Sequence, residues 1–313
     1  MSIQELLQQI VNGLSIGSIY ALIALGYTMV YGILKLINFA HGDVYMLGAF
    51  IGFWVSSWLV RSSVYFQQHV AAAIFLAIPI AMLGCALIGL LIERFAYKPL
   101  RNAPRLSLLI TAIGVSFFLE YLTMALVGPD RQVYQRDIWL SRNYALGGGV
   151  TISVQRLLTI GIALALMLAL QWLLRRTKIG KAMRAVATDQ DAARLMGIPV
   201  DRVIAFTFAL GSALAGAAGV LIGMQYQVNP LMGVMDGLKA FIAAVLGGIG
   251  LVPGAVLGSF ALGTIEALVK GAHTRIWGLQ PSLLSDAVAF LVLIAILLIK
   301  PTGLLGSSRR EKV

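Results

Sequence analysis

Charge is what this sequence has least of. Asp, Glu, Lys and Arg together make up 12% of the 313 residues, about half the share of an ordinary soluble domain. With 59% hydrophobic residues, the composition is that of a membrane protein rather than a water-facing one. Cysteine is nearly absent: Cys85 stands alone inside an apolar run, which excludes a disulfide and a thiolate cluster within the chain. His41, His69 and His273 are scattered without metal-ligand spacing. A phosphate-binding G-x-x-x-x-G-K-[ST] loop is missing too, because Gly180-Lys181 is followed by Ala182 and Arg175 stands five residues before Gly180. No carboxylate pair or Ser/His/Asp arrangement can be argued, so the expectation is no catalytic, metal or cofactor site and no ATPase activity of its own.

Apolar windows of about 20 residues, enough for a helix to cross a hydrocarbon core of roughly 30 Å, recur along the whole length. They are read at Ile10–Leu34, Val44–Val60, Val70–Ile92, Leu106–Val127, Ser153–Leu174, Val203–Gln227, a glycine-broken Gly237–Val269, and Leu284–Ile299. The expected fold is an all-α polytopic transmembrane bundle of about eight helical segments, some broken or re-entrant, forming a single domain over residues 1–313. The formal net charge of +11 would suit nucleic acid if it were spread over one surface, but 15 of the 24 basic residues fall in three runs. These are Arg94 to Arg105, Arg175 to Arg202, and Lys300 to Lys312, and the positive-inside rule marks them as cytoplasmic loops. Residues 128–150 and 270–283 are then expected outside, with the C-terminus inside. The N-terminal stretch, which carries Glu5 and no basic residue, is expected outside and not to be a cleaved signal.

Polar breaks interrupt this pattern in two places. "LINFAHGD", residues 36–43, puts Asn38, His41 and Asp43 between two apolar runs, and Asn229 to Gly254 carries two prolines and repeated glycines. Non-helical backbone survives in a bilayer only where protein or water satisfies it, and paired interruptions point to a transport pathway. Ordinary loop turns are the competing account. Small residues at four-residue spacing, Gly211, Ala215, Gly219 and Gly223, then Gly250, Gly254 and Gly258, with Gly13/Gly17 and Gly48/Gly52, fit tight helix packing and subunit contact. Glu120 lies mid-span with Thr111 and Ser116 in the same segment, and a charge at that depth is a functional or a hydrogen-bonded structural group. Glu266, Asp236 with Lys239, and Asp286 fall nearer ends or breaks, where water or pairing accounts for them. Asn12, Asn38, His41, Thr111, Ser116 and Glu120 are the candidate pathway residues.

The longest polar stretch, residues 175–202, is the size of one helical hairpin. Thr188 or Asp189 can cap a short helix that Gly197 closes. Its mixture of Ala192, Ala193, Leu195, Met196 and Ile198 with Lys181, Arg184, Asp189, Asp191 and Arg194 suits a knob that docks in a partner's groove, although a basic juxtamembrane loop also binds anionic lipid.

Three stretches carry a family resemblance: "NGLSIGSIYALIALGYTMVYGILKLINFAHGDVYMLGAF", "GKAMRAVATDQDAARLMGIPVDR" and "GGIGLVPGAVLGSFALG". They resemble the LivH-type permease subunits of bacterial ABC importers for branched-chain amino acids, over nearly the whole chain. The resemblance implies a bacterial inner-membrane location, a LivM-type second permease, two cytoplasmic ATPases and a periplasmic amino-acid-binding protein, with lipid as surroundings and no nucleic acid. It also makes the 175–202 loop an "EAA"-like coupling element, with Asp191 where Glu is usual. Related permeases carry other amino acids, urea or short amides. A self-sufficient proton-coupled transporter using Glu120 or Asp236, a membrane enzyme and a scaffold are the readings from other classes.

Overall fold

The computed structural model describes residues 2–101, 103–272 and 281–306; His273, Arg309, Arg310, Lys312 and most of the expected outer loop 270–283 lie outside them. Twelve α-helices run through these residues. They are α1 (Ile3–Leu34), α2 (His41–Ser62), α3 (Val64–Gln68), α4 (Val70–Ile92), α5 (Arg105–Val127), α6 (Val154–Arg176), α7 (Lys178–Thr188), α8 (Gln190–Leu195), α9 (Val200–Gly223), α10 (Met232–Gly247), α11 (Val252–Lys270) and α12 (Pro281–Ile299). Among the described residues, seven helical stretches are long and apolar enough to cross a bilayer, and Leu284–Ile299 is a shorter apolar helix. The protein is a multi-pass helical membrane protein.

Helix α1 begins seven residues before the expected Ile10 because Ser2 and Glu5 form a capping box. The Ser2 hydroxyl accepts from the Glu5 N–H, and the Glu5 carboxylate accepts from the Ser2 N–H at 2.8 Å. At its other end Lys35 turns into the left-handed region, with φ of 55°. The expected non-helical "LINFAHGD" is only partly so. The chain leaves helix over residues 35–40, while His41, Gly42 and Asp43 form the first turn of α2. Their N–H groups are tied back in part, His41 to the Asn38 carbonyl and Asp43 to the Ala40 carbonyl, each at 3.1 Å. Asp43 therefore sits where the positive end of a helix favours a carboxylate. This turn is a plunge into the bundle: His41 packs edge-on against Tyr27, with ring centroids 4.8 Å apart, about two helical turns back from the end of α1.

The second expected break is also smaller than it reads. Helix runs through Met232–Gly247 as α10 and resumes at Val252 as α11, leaving only the turn 248–251, where Gly248 and Gly250 have φ of 109° and 94°. Pro253 lies in the first turn of α11, where a missing N–H costs nothing. The glycine-broken region is thus a helical hairpin, and its first arm has only 16 residues.

Glycine seams bring these helices together within the chain. A Cβ on Gly17 would lie 2.9 Å from the Phe260 Cα of α11, and one on Gly219 of α9 would lie 2.5 Å from the Ala49 N of α2. Only residues without side chains permit such an approach. Helix α9 is central, packed on α1, α2 and α4, whereas α5 rests mainly on α2 and on the π-helical turn Glu93–Tyr97 that follows α4. After that turn Arg101 pairs with Glu93 and reaches Asp201 of α9 at 2.7 Å. On the opposite side, β1 (Asn143–Gly147) and β2 (Val150–Ser153) form an antiparallel hairpin around Gly147, Gly148 and Gly149, all at positive φ. These are the only paired strands among the described residues, and the sequence reading missed them. Below, the side bearing α7 and α8 is the loop side and the other the hairpin side.

Candidate functional site

Residues 175–202 carry two short helices, α7 and α8, as a stretch the size of a helical hairpin allows. Thr177 caps α7, its hydroxyl accepting from the Gly180 N–H at 3.1 Å. Asp189 then interrupts the helix and caps α8, its Oδ1 accepting from the N–H groups of Asp191 and Ala192 at 2.9 and 3.0 Å. Gly197, at φ of 78°, closes α8, and the Ile198 N–H donates to the Ala193 carbonyl at 3.0 Å. Of the two caps the sequence offered, Thr188 and Asp189, it is Asp189 that serves, and Gly197 closes the helix as expected. Ala193 is buried against the bundle, and Gln190 donates to the Ile33 carbonyl at 3.0 Å, which fastens α8 to the end of α1. Arg184 is used structurally, donating to the Leu174 carbonyl. Lys181 and Ala192 are exposed, and Asp191 and Arg194 form an exposed ion pair at 3.5 Å. Leu195 and Met196, 89% and 82% exposed, project from the end of α8.

The six candidate pathway residues are not gathered in one place. Asn12 is on the hairpin side, where its Oδ1 accepts from Arg156 at 2.6 Å and from Gln8 at 3.1 Å. Thr111 donates to the Ser107 carbonyl within its own helix, at 2.8 Å. Asn38 is buried in the loop-side plunge and accepts from the Tyr97 hydroxyl at 3.0 Å, so it braces α2 against the end of α4. Two of the others converge. Ser116 and Glu120 are buried around Asp43: the Ser116 hydroxyl donates to Asp43 Oδ2, and Glu120 lies within hydrogen-bonding reach of Asp43, whereas buried His41 turns to Tyr27 and Gly26 of α1. His41 Nε2, Asp43 Oδ1 and Glu120 Oε1 have no partner among the described residues. Asp43 was not among the six, although it stands in the polar break the sequence singled out.

A second buried cluster joins residues that sequence spacing did not connect. Lys239 of α10 was read beside Asp236, its i,i−3 neighbour. Its ammonium turns instead to α11 and α12, donating to Glu266 Oε1 at 2.9 Å and pairing with Asp286 at 2.7 Å. Lys270 adds a third ion pair, to Glu266 at 2.6 Å, and the Tyr20 hydroxyl donates to Glu266 Oε2 at 2.7 Å. Asp236 accepts from the Tyr45 hydroxyl at 3.0 Å. These groups line a cavity of about 360 Å³ toward the hairpin side, bounded by α1, α10, α11, α12 and the 226–231 segment.

Residues 9–297 match the family described as branched-chain amino acid transport system / permease component. The high-affinity branched-chain amino acid transport system permease protein BraD of Pseudomonas aeruginosa is 44% identical, over 99% of this chain and 99% of its own length. The corresponding LivH protein of Escherichia coli K12 is 43% identical, over 98% of this chain and 97% of its own. Among solved structures, a chain of PsaBC from Streptococcus pneumoniae in complex with Fab aligns at 12% identity with a TM-score of 0.46, covering 96% of this chain and 94% of that one. With its family match spanning nearly every helix of the bundle, the chain belongs to the permease components of branched-chain amino acid transport systems.

Proposed function

We propose that this chain is the LivH-type half of an ATP-driven importer for leucine, isoleucine and valine, working in a bacterial inner membrane beside a LivM-type second permease. Two cytoplasmic ATPases drive the pair, and a periplasmic binding protein delivers the amino acid. The names of BraD and LivH support the substrate class. In this reading the loop side is cytoplasmic, in keeping with its Lys and Arg, and the N-terminus and the β hairpin are periplasmic.

The observation that carries the ATPase reading is α8. A helix of six residues, capped at both ends and fastened to the bundle, holds Leu195 and Met196 out into solvent. Large apolar side chains held there on a fixed element fit a groove of another protein. A motor bound there bears on the end of α1 through Gln190 and Ile33.

In proteoliposomes holding both permeases and both ATPases, with the binding protein supplied, Leu195→Asp combined with Met196→Asp should abolish ATP-driven leucine uptake and release the ATPases from the complex. Unchanged uptake and unchanged ATPase content would mean that the loop meets only lipid. Uptake by the chain alone, down a proton gradient and without ATPases, would replace the importer reading with a secondary transporter.

A further inference from the structure

The charged cavity on the hairpin side holds more negative than positive groups. Three carboxylates, Asp236, Glu266 and Asp286, stand against two ammonium groups, Lys239 and Lys270. Glu266 is surrounded, by Lys239, Lys270 and Tyr20, and Asp286 is met by Lys239. Asp236 accepts from the Tyr45 hydroxyl and, among the described residues, makes no direct ion pair, with Lys239 and Lys270 acting on it only from farther off. Lys270 is 42% exposed and spends one contact on Glu266, while an ammonium has three protons to donate. Ile16, Ile19, Met232 and Met235 also line the cavity. The cavity's volume of about 360 Å³ is in the range of small-molecule sites, which are mostly apolar with a few placed polar groups.

We propose that this cavity is a way-station for the transported molecule, an aliphatic α-amino acid bound as its zwitterion, with the α-ammonium on Asp236, the α-carboxylate on Lys270 and the side chain against Ile16, Ile19 and Met235. The inference rests on the amino-acid reading above and adds to it a place within the membrane bundle where the cargo is recognised. A zwitterion adds no net charge to a site that already holds both signs, and it gives Asp236 a cation in direct contact. An anion would bring a further negative charge beside three carboxylates, and a bare cation would leave Lys270 unanswered. A residue that only locked helices together would have no need of the open cavity beside it.

The test uses the complete importer with its binding protein. Asp236→Asn keeps the shape and the hydrogen bond from Tyr45 but removes the charge that meets the ammonium. ATP-driven leucine uptake should fall on the order of tenfold, as expected for one charge-assisted hydrogen bond, in a complex that assembles normally. Wild-type uptake by an assembled Asp236→Asn complex would overturn the way-station while leaving the importer reading intact. Failure of the unsubstituted complex to import leucine would sink the importer reading, and the way-station with it.

If Asp236→Asn does not assemble, Met235→Cys decides. The native thiol, Cys85, is buried, so a thiol reagent reports position 235. Millimolar leucine should slow that labelling in the complex without binding protein, and 4-methylpentanoate, which lacks the ammonium, should not. Equal labelling with and without leucine, or equal protection by both compounds, would overturn the proposal.

Discussion

The bundle buries carboxylates in two places and settles them by opposite means. Around Glu266 every carboxylate oxygen meets a donor, and the donors include two ammonium groups on α10 and α11. Around Asp43, the carboxyl groups of Asp43 and Glu120 meet each other, the Ser116 hydroxyl donates to Asp43, and one oxygen of each carboxyl is left without a partner among the described residues. The first is a cross-brace of ion pairs between three helices. In the second, a short-range hydrogen-bonded contact attaches the peripheral α5 to α2. Breaking a buried ion pair leaves an uncompensated charge, whereas losing one member of a cation-free pair relieves repulsion as well as removing a bond. The Glu266 cluster should therefore be brittle to single substitutions and the Asp43 cluster tolerant of them.

The sharpest way to break this contrast is Glu266→Gln, which strands Lys239 and Lys270. A loss of about 3–5 kcal/mol is expected, measured as a drop in thermal unfolding temperature of the solubilised importer. A loss under about 1 kcal/mol would mean that water already screens the cluster. Ser116→Ala should have an intermediate effect, about 1–3 kcal/mol, because it removes the hydroxyl donor from buried Asp43, and proteolysis within α5 should rise with it. Glu120→Gln should change the same unfolding temperature least, by less than about 1 kcal/mol. A large loss there would reveal a cation partner for Glu120 and erase the difference between the two sites.

Much of the bundle was legible because hydropathy and length are local. Val70–Ile92 is α4 to the residue, and Leu106–Val127 differs from α5 by one. The short capped helix was legible as well, since Asp189 and Gly197 act on backbone groups two to three residues away. Contacts across the fold were not legible. Asp43 and Ser116 are 73 positions apart and Tyr20 and Glu266 are 246 apart, and no periodicity encodes which helix faces which. Lys239 shows how a local rule misleads: its i,i−3 neighbour was the obvious partner, but two carboxylates on other helices outcompeted it. The first break was overread for a related reason, whereas the second is the pair of short helices that its length allowed. Gly, Pro and Asn mark turns, but they do not say how few residues a turn needs when its flanks are held by packing. The hairpin at 143–153 had a signal in its three consecutive glycines, outweighed by the apolar runs on either side.

One dimension of α10 bears on what crosses the membrane. Sixteen residues of helix reach about 24 Å at roughly 1.5 Å per residue, short of an oily layer of about 30 Å. A helix of that length does not cross such a layer alone, so the hairpin that α10 forms with α11 falls short of a full span on its first arm.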